Sequence, residues 1–503
     1  MHISSSILRG LIFFTLTVCL SLNLSAQGGR RYFTGDLTDE SAFNKINKVA
    51  ERATRDLSDL PPVFSLREYT PSPGDQGQNG TCVAWSSSYA ARTISYCIQH
   101  SVKDKTEINK LIFSPHYIYY HIKQPGDADC TGGAKVEAAM KILTEKGDVL
   151  ANVNIPECTP AIESNSDKNA KDYSIKAYAA LTNTFGRITK NEVIAMRKSL
   201  SEKKPIIFSI KCFKSFFDVG KDGMWKQPEN DSIVGNHAMC IIGYDNNKAG
   251  GSFEIMNSWG KEWGDNGYGW ISYEDMKKYG SYALELMDKE SYDPKVTRDL
   301  GDPKITGSLN FIQTNDFGNI IGDMPVSRYY VDANGNTVTD PNSATFTHYK
   351  FSNNYKGGST FFKIQFMTNA PAFVYILDID DKKTVSKLFP YDDNISPAIN
   401  STNATVIFPL NDPITNKSRR FELNADASVE KICILYSKSP LDYNELEKKI
   451  NSSPTTPYAT IQNLYKNSLI PLKNLQTGND KISFSSLAKE NEIVCLFAEL
   501  NHQ

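Results

Sequence analysis

The sequence predicts an α+β fold: a first domain with helices ahead of strands, followed by a mainly β, sandwich-like C-terminal domain. Three observations predict it. Helical periodicity dominates between residues 82 and 200, short β-like runs take over from 206 to 273, and alternating strands separated by turn signals fill the chain beyond about 303. At 503 residues the chain has room for two or three domains, and 40% hydrophobic with 22% charged residues is ordinary for globular cores. Lys and Arg number 55 against 57 Asp and Glu, for a formal net charge of -2. That balance gives no basic excess for nucleic acid and no acidic tail for a charged partner.

In chain order, residues 1–26 read as a secretory signal peptide. His2 and Arg9 give a basic start, an apolar run covers 11–24, and small Ser25 and Ala26 precede polar Gln27, Gly28 and Gly29. The run is short for a membrane span. Cleavage is expected after Ala26, although Leu24 fits that cut poorly. No later stretch is long and apolar enough to cross a bilayer, so the protein is expected to be exported to the periplasm, the cell surface or the medium, with no span once the signal is removed. Residues 27–60 form a short polar segment with a helix-like stretch at 43–57, ended by Pro61 and Pro62 because proline cannot continue a helix.

The domain expected at 61–290 opens its main helix at Cys82, with Trp85, Tyr89, Ile94, Cys97 and Ile98 at helical spacing. A second helix covers 134–146 and stops at Gly147; a third carries Val193, Met196 and Leu200 and breaks at Pro205. Strands are expected at 206–210, 238–244, 253–256 and 269–273. A linker and small β extension occupy 291–355. The accessory domain, 356–503, has strands at 362–366, 373–377, 405–408, 431–436 and 493–497, and one helix at 442–450. Asn334-Gly335 and 380–382 mark turns. The Asp332-x-Asn334-Gly335 stretch reads as a hairpin rather than a calcium loop, because its glycine comes too early.

The chemistry concentrates around one cysteine. A glycine-rich loop, 75–81, delivers Cys82 to a helix N-terminus, where unpaired N–H groups and the helix dipole favour thiolate over thiol. Gln76, with Gln78 as the neighbouring alternative, can offer its amide to an oxyanion together with the Cys82 backbone N–H. His237, at the head of an apolar strand, is the candidate base. Asn257 follows the next strand and can orient the imidazole, while Trp259 shields that bond from water. Cys97, Cys212, Cys240, Cys433 and Cys495 sit in apolar runs and read as small buried hydrophobes. Cys19 in the signal region is a poor lipid acceptor. A lone His237-x-x-Cys240 spacing without any Cys-x-x-Cys pair gives no metal site.

Gln76 with Cys82, Asn236-His237-Ala238 with Gly243-Tyr244, and Asn257-Ser258-Trp259-Gly260 with Trp263-Gly264 and Gly267-Tyr268-Gly269 resemble the papain family of cysteine peptidases. Phe113-Ser114-Pro115 and Cys130-Thr131-Gly132-Gly133 resemble the segments between nucleophile and histidine. The resemblance covers about 61–290. It implies two lobes with a groove between them, Cys82 as nucleophile, His237 and Asn257 as its partners, Gln76 at the oxyanion, protein or peptide substrates, and no metal or organic cofactor. Asn79 replaces the cysteine that usually bridges to Cys130, so Cys130 either pairs with Cys158 or stays free. Val83 replaces the usual aromatic residue, and Trp259 and Trp263 serve either packing or catalytic support. Residues 27–60 are shorter than the usual inhibitory propeptide, which leaves open whether they inhibit.

The sequon Asn79-Gly80-Thr81 lies in the catalytic loop, and its reading as unmodified favours a bacterial exported protein. Residues 361–458, through Ala372-Phe373-Val374-Tyr375-Ile376-Leu377-Asp378, Leu388-Phe389-Pro390 and Phe421-Glu422-Leu423, are similar to a bacterial family of unknown function appended to peptidases and kinases. A module that is structural or binds a partner or substrate is the expectation there. The function expected is an exported peptidase working through an acyl-enzyme. The alternatives are a silent binding protein on the same scaffold, or an acyl transferase.

Overall fold

The computed structural model describes residues 32–50, 60–151, 158, 169–289, 304–401, 403–409, 418–426, 428–487 and 492–503. The expected signal peptide and its cut after Ala26 lie outside the described residues, as does the linker around 291–303.

Three helices pack together on one side of the first domain, and a fourth lies against the strands Val63–Ser65, Ile206–Phe213 and Ile233–Asp245. Helix α1 starts as an α-turn at Cys82–Ala84, widens to a π-helix over Trp85–Arg92 and closes as an α-helix over Thr93–Gln99. The widening has a local cause. Ser86 and Ser87 turn their hydroxyls back onto the Val83 carbonyl, at 3.0 and 2.7 Å, and compete with the backbone ladder. Helix α2, Pro115–Ile122, is capped by Ser114 with proline at its first turn. Helix α3, Val136–Glu145, buries Val136, Ala139, Met140 and Leu143 along one face and stops at Gly147, whose φ of 93° suits glycine. Helix α4, Lys190–Ser201, opens on a capping box between Thr189 and Glu192.

Seven strands face these helices: β1 Val63–Ser65, β2 Ala177–Ala180, β3 Ile206–Phe213, β4 Ile233–Asp245, β5 Ser252–Met256, β6 Tyr268–Ser272 and β7 Gly280–Met287. Their order is β2-β7-β3-β4-β5-β6, with β1 added to β4. The helices and strands expected between 82 and 273 are present close to their predicted places; β1, β2, β7, α2 and the short helices Lys105–Lys110 and Tyr273–Tyr279 are additional. Strands β3 and β4 are long and buried, so their register fixes which side chains face the helices.

The C-terminal domain is two packed sheets. Its strands are β8 Lys304–Thr314, β9 Ile320–Asp323, β10 Val326–Val331, β11 Thr337–Val338, β12 Phe346–Phe351, β13 Phe361–Thr368, β14 Ala372–Ile379, β15 Val385–Phe389, β16 Ala398–Ile399, β17 Ala404–Phe408, β18 Phe421–Glu422, β19 Ser428–Ser437, β20 Leu475–Thr477, β21 Ile482–Leu487 and β22 Ile493–His502. One sheet runs β11-β10-β12-β22-β19-β14-β15 and the other β17-β13-β8-β21-β20, with the short strands at their flanks. Phe311, Phe366, Phe389, Phe408 and Tyr436 lie in the core between them. Residues 305–355 are therefore part of the sandwich and no separate extension: β8 pairs with β13 and β21, and β12 with β10 and β22. The hairpin read at Asn334-Gly335 is there, with Gly335 at φ 88°. Helices α5, Tyr443–Ser452, and α6, Pro457–Leu464, pack on the outer face, where one was expected. No helix among the described residues is long and apolar enough to cross a membrane.

The N-terminal segment departs from its predicted helix. Only Glu40–Asn44 is helical, a single turn capped by Asp39. Residues 51–57 lie outside the described residues. Phe43, Ile46 and Ala50 are all buried, but against different partners: Phe43 and Ile46 enter the first domain's core and Ala50 the sandwich core. Between them Lys48 is extended. Its N–H donates to the Asn394 carbonyl at 2.5 Å and its carbonyl accepts the Ser396 N–H at 2.8 Å, while Val49 and Asn47 exchange backbone bonds with Ala180 of β2 at 2.8 Å. A helix face cannot satisfy two domains at once; an extended chain can.

Cys130 and Cys158 are disulfide-bonded, one of the two states left open by the sequence, 28 positions apart along the chain. Cross-linking a loop of that length stabilises by roughly 3–4 kcal/mol on chain-entropy grounds. A Cys158→Ser chain is expected to lose stability of that order, read as a lower midpoint in urea unfolding of the first domain.

Candidate active site

The four residues singled out in the sequence come from different elements and converge where α1 meets the sheet. Cys82 is the first residue of α1, and Thr81 before it is non-helical, so the sulfur sits at a helix end whose first N–H groups lack intrahelical partners. His237 lies within β4, opposite Ile210 of β3. Asn257 directly follows β5, and Gln76 lies in the loop ahead of α1.

His237 Nε2 and Asn257 Oδ1 are 2.8 Å apart. Asn257 Oδ1 also accepts the Ser258 backbone N–H at 2.8 Å, which fixes the amide's orientation. An oxygen that accepts both bonds requires Nε2 to carry the proton. The other ring nitrogen, Nδ1, then holds a lone pair, and it has no hydrogen-bond partner. Trp259 stacks on the imidazole at 4.3 Å and 21°. Backbone groups of Ala238, the residue after His237, and of Gly35 and Val83 act on the Cys82 sulfur in the direction that favours thiolate. Gln76 is held through Oε1, which accepts the Ser258 hydroxyl at 2.6 Å. That aims its Nε2 into the groove, whereas Gln78 is exposed.

The groove is filled by the protein's own chain. Residues 32–39 run through it between the helices and the sheet. The Phe33 carbonyl accepts from Gln76 Nε2 at 3.1 Å and from Trp259 Nε1 at 3.0 Å. Tyr32 stacks on Trp259 at 4.8 Å. Gly35 accepts the Ala134 N–H at 2.9 Å, Asp36 donates to the Asn236 carbonyl at 3.3 Å, and Leu37 donates to the Ala134 carbonyl at 2.9 Å. Asp39 closes the run with an ion pair to Lys135 at 2.6 Å. The fit at Gly35 leaves no room for a side chain, because a Cβ there would collide with the Gly80 carbonyl.

A family profile described as papain family cysteine protease matches residues 60–286. Residues 60–286 form a papain-family domain. A second profile, for a domain of unknown function, matches 354–440. An uncharacterised peptidase C1-like protein of Acanthamoeba polyphaga mimivirus is 29% identical over 223 residues, 41% of this chain and 67% of that protein. Vignain of Vigna mungo is 27% identical over 237 residues, 47% of this chain and 59% of vignain. The crystal structure of xylellain, a cysteine protease from Xylella fastidiosa, aligns with TM-score 0.41 and 22% identity over 51% of this chain and 95% of that one. The chain thus spans only 59% to 67% of the length of these two curated relatives.

In the closed groove of this papain-family domain both titrating partners are neutral. Cys82 and His237 are fully buried. Burial pushes the Cys82 thiol up to about 12, with the nearby Asp36 carboxyl adding to the rise. Burial lowers His237 to about 4 against the raising effect of its bond to Asn257. Between those values neither a thiolate nor an imidazolium is favoured while the segment stays in place. Three contributors escaped the sequence reading: Ser258, which holds Gln76, and Ser209 and Tyr282, which contact Asp36. Ser258 lies inside the Asn-Ser-Trp-Gly run and was within reach. The other two sit on β3 and β7 with no local signal.

Proposed function

We infer that the protein is an exported cysteine peptidase that hydrolyses peptide bonds through a thioester acyl-enzyme, and that the described form is its closed state. The Phe33 carbonyl carries the reading. A peptide carbonyl already lies in the groove, gripped by Gln76 Nε2 and Trp259 Nε1. A substrate carbonyl at that place would be polarised by the same donors. With residues 32–39 displaced and water admitted, the helix terminus and an adjacent imidazolium lower the thiol pKa again. His237 Nδ1 takes the Cys82 proton, and the thiolate attacks the carbonyl carbon. Gln76 stabilises the oxyanion, and His237 returns the proton to the leaving amine. Water, deprotonated by the same ring, then cleaves the thioester. Asn257 keeps the ring oriented throughout. Export is supported by the apolar run at 11–24 and by the Cys130–Cys158 disulfide, which suits an oxidising compartment.

The test is a digested proteome library incubated under reducing conditions with the chain and with its Gly35→Val variant, followed by mass spectrometry of the peptides. New termini that disappear on pretreatment with a thiol-directed epoxide are the expected result. An intact library with both chains would remove the peptidase assignment.

A further inference from the structure

Beside Cys82 lies a pocket that one side chain of the groove-filling segment enters. Asp36 is 4% exposed, and its Oδ2 accepts hydrogen bonds from the Ser209 hydroxyl on β3 and, at 3.0 Å, from the Tyr282 hydroxyl on β7. Both hydroxyls are buried, Ser209 at 0% and Tyr282 at 1% exposure. The other oxygen, Oδ1, has no partner. No Lys or Arg pairs with this carboxyl among the described residues, and the charged group acting on it is Glu137 of α3, which opposes a negative charge. Its other titratable neighbours are Cys82 and Tyr282, with His237 next in sequence to its backbone partner Asn236.

We propose that this pocket selects, in the peptides the enzyme cleaves, a short side chain with an uncharged hydrogen-bond acceptor: asparagine, or aspartic acid in its protonated form. The proposal rests on the peptidase reading and names the substrate preference of that site. Two hydroxyls point at one acceptor atom in a dry pocket. A large apolar side chain would leave both unpaired, and a site built to hydrogen-bond discriminates strongly against a group that cannot. Lysine and arginine are several atoms longer than the Asp36 side chain that the pocket encloses. A carboxylate would satisfy the hydroxyls but would be buried without a cation beside Glu137. The protein's own Asp36 accordingly titrates at about 7, raised by burial, and occupies the pocket as the neutral acid over most of the acidic range. An aspartate free in water titrates near 4, so the bound segment holds a proton that the free one lacks between about 4 and 7. Its hold is complete below about 4, falls about tenfold per pH unit up to about 7, and levels off above.

The full chain reports the preference through the rate at which a thiol-directed epoxide alkylates Cys82, since a well-seated segment protects it. At pH 5, Asp36→Asn is expected to label as slowly as the parent chain and Asp36→Leu at least tenfold faster. Adding Ser209→Ala and Tyr282→Phe to Asp36→Leu should slow labelling again, because the unpaired hydroxyls are gone. From pH 5 to 7 the labelling ratio of parent to Asp36→Asn should climb by tenfold or more, a slope that cancels the thiol's own titration. Thermal melting of each variant separates groove opening from unfolding. Equal rates for Asp36→Leu and the parent, or Asp36→Asn as fast as Asp36→Leu, would overturn the pocket's preference. A Gly35→Val chain that is alkylated at Cys82 yet cleaves no peptide would instead remove the peptidase reading and leave the pocket result standing. If that chain does cleave, asparagine and aspartate should be enriched at one position near the cut, and enrichment of leucine or phenylalanine there would also overturn the preference.

Discussion

A Cys82→Ala substitution, compared in the Gly35→Val background, is expected to slow peptide hydrolysis by about 10⁴-fold or more while the melting temperature stays within a few degrees. The magnitude follows from the role. Without the sulfur no acyl-enzyme forms, and only the oxyanion donors and substrate positioning remain, which leaves a small residue of catalysis over water. The small structural cost follows from the environment. Cys82 is buried at the start of α1, and exchanging a thiol for a methyl-sized group removes one heavy atom from a tight site. Initial rates on a fluorogenic peptide and a thermal melt decide it. Hydrolysis within tenfold of the parent would mean that another group attacks the carbonyl.

The second large effect concerns the groove's own occupant. Gly35→Val is expected to raise both epoxide labelling of Cys82 and peptide hydrolysis by about 10- to 100-fold over the unmodified chain. A Cβ at this position would run into the Gly80 carbonyl, and the facing Gly133, at φ 77°, likewise has no space for one toward Gly35. Neither wall can retreat cheaply, because Gly80 N–H is bonded to the Cys130 carbonyl at 2.7 Å and Gly35 to Ala134. Overpacking of this kind costs about 1–3 kcal/mol. Taken from the segment's hold, that is one to two decades in the open population. Labelling equal in the two chains would mean that residues 32–39 do not control access to the sulfur.

Much of the site was readable because the chemistry sits in short runs with local physical meaning. A cysteine after a glycine-rich loop announces a helix terminus, and Cys82 does begin α1 with Gln76 in the loop before it; the Asn-Ser-Trp-Gly run announces its own turn after β5, whereas His237, expected at the head of its strand, lies inside the longer β4. The same holds for the helices whose apolar residues recur along one face, α3 and α4. What stayed hidden depends on partners far away in the chain. Nothing local in 43–57 says that Phe43 and Ala50 belong to different cores, so a helical period was the natural reading of residues that are in fact shared between two domains. Asp36 looks like one more polar residue of a linker until Ser209 and Tyr282, more than 170 positions on, close around it. The strands between 305 and 355 read as an appendage for the same reason, since β8 pairs locally only with the short β9 and finds its long neighbours β13 and β21 after residue 360.

The backbone pairing of Lys48 turns the C-terminal sandwich into an anchor point. The covering chain leaves the crevice at Asp39, and within ten residues it is laced to β2 on one flank and to the 394–396 loop on the other. Uncovering the sulfur by peeling the chain from that end therefore means unlacing a seam between both halves of the molecule. A ligand that merely tugs the 394–396 loop out of register would pull on the same thread.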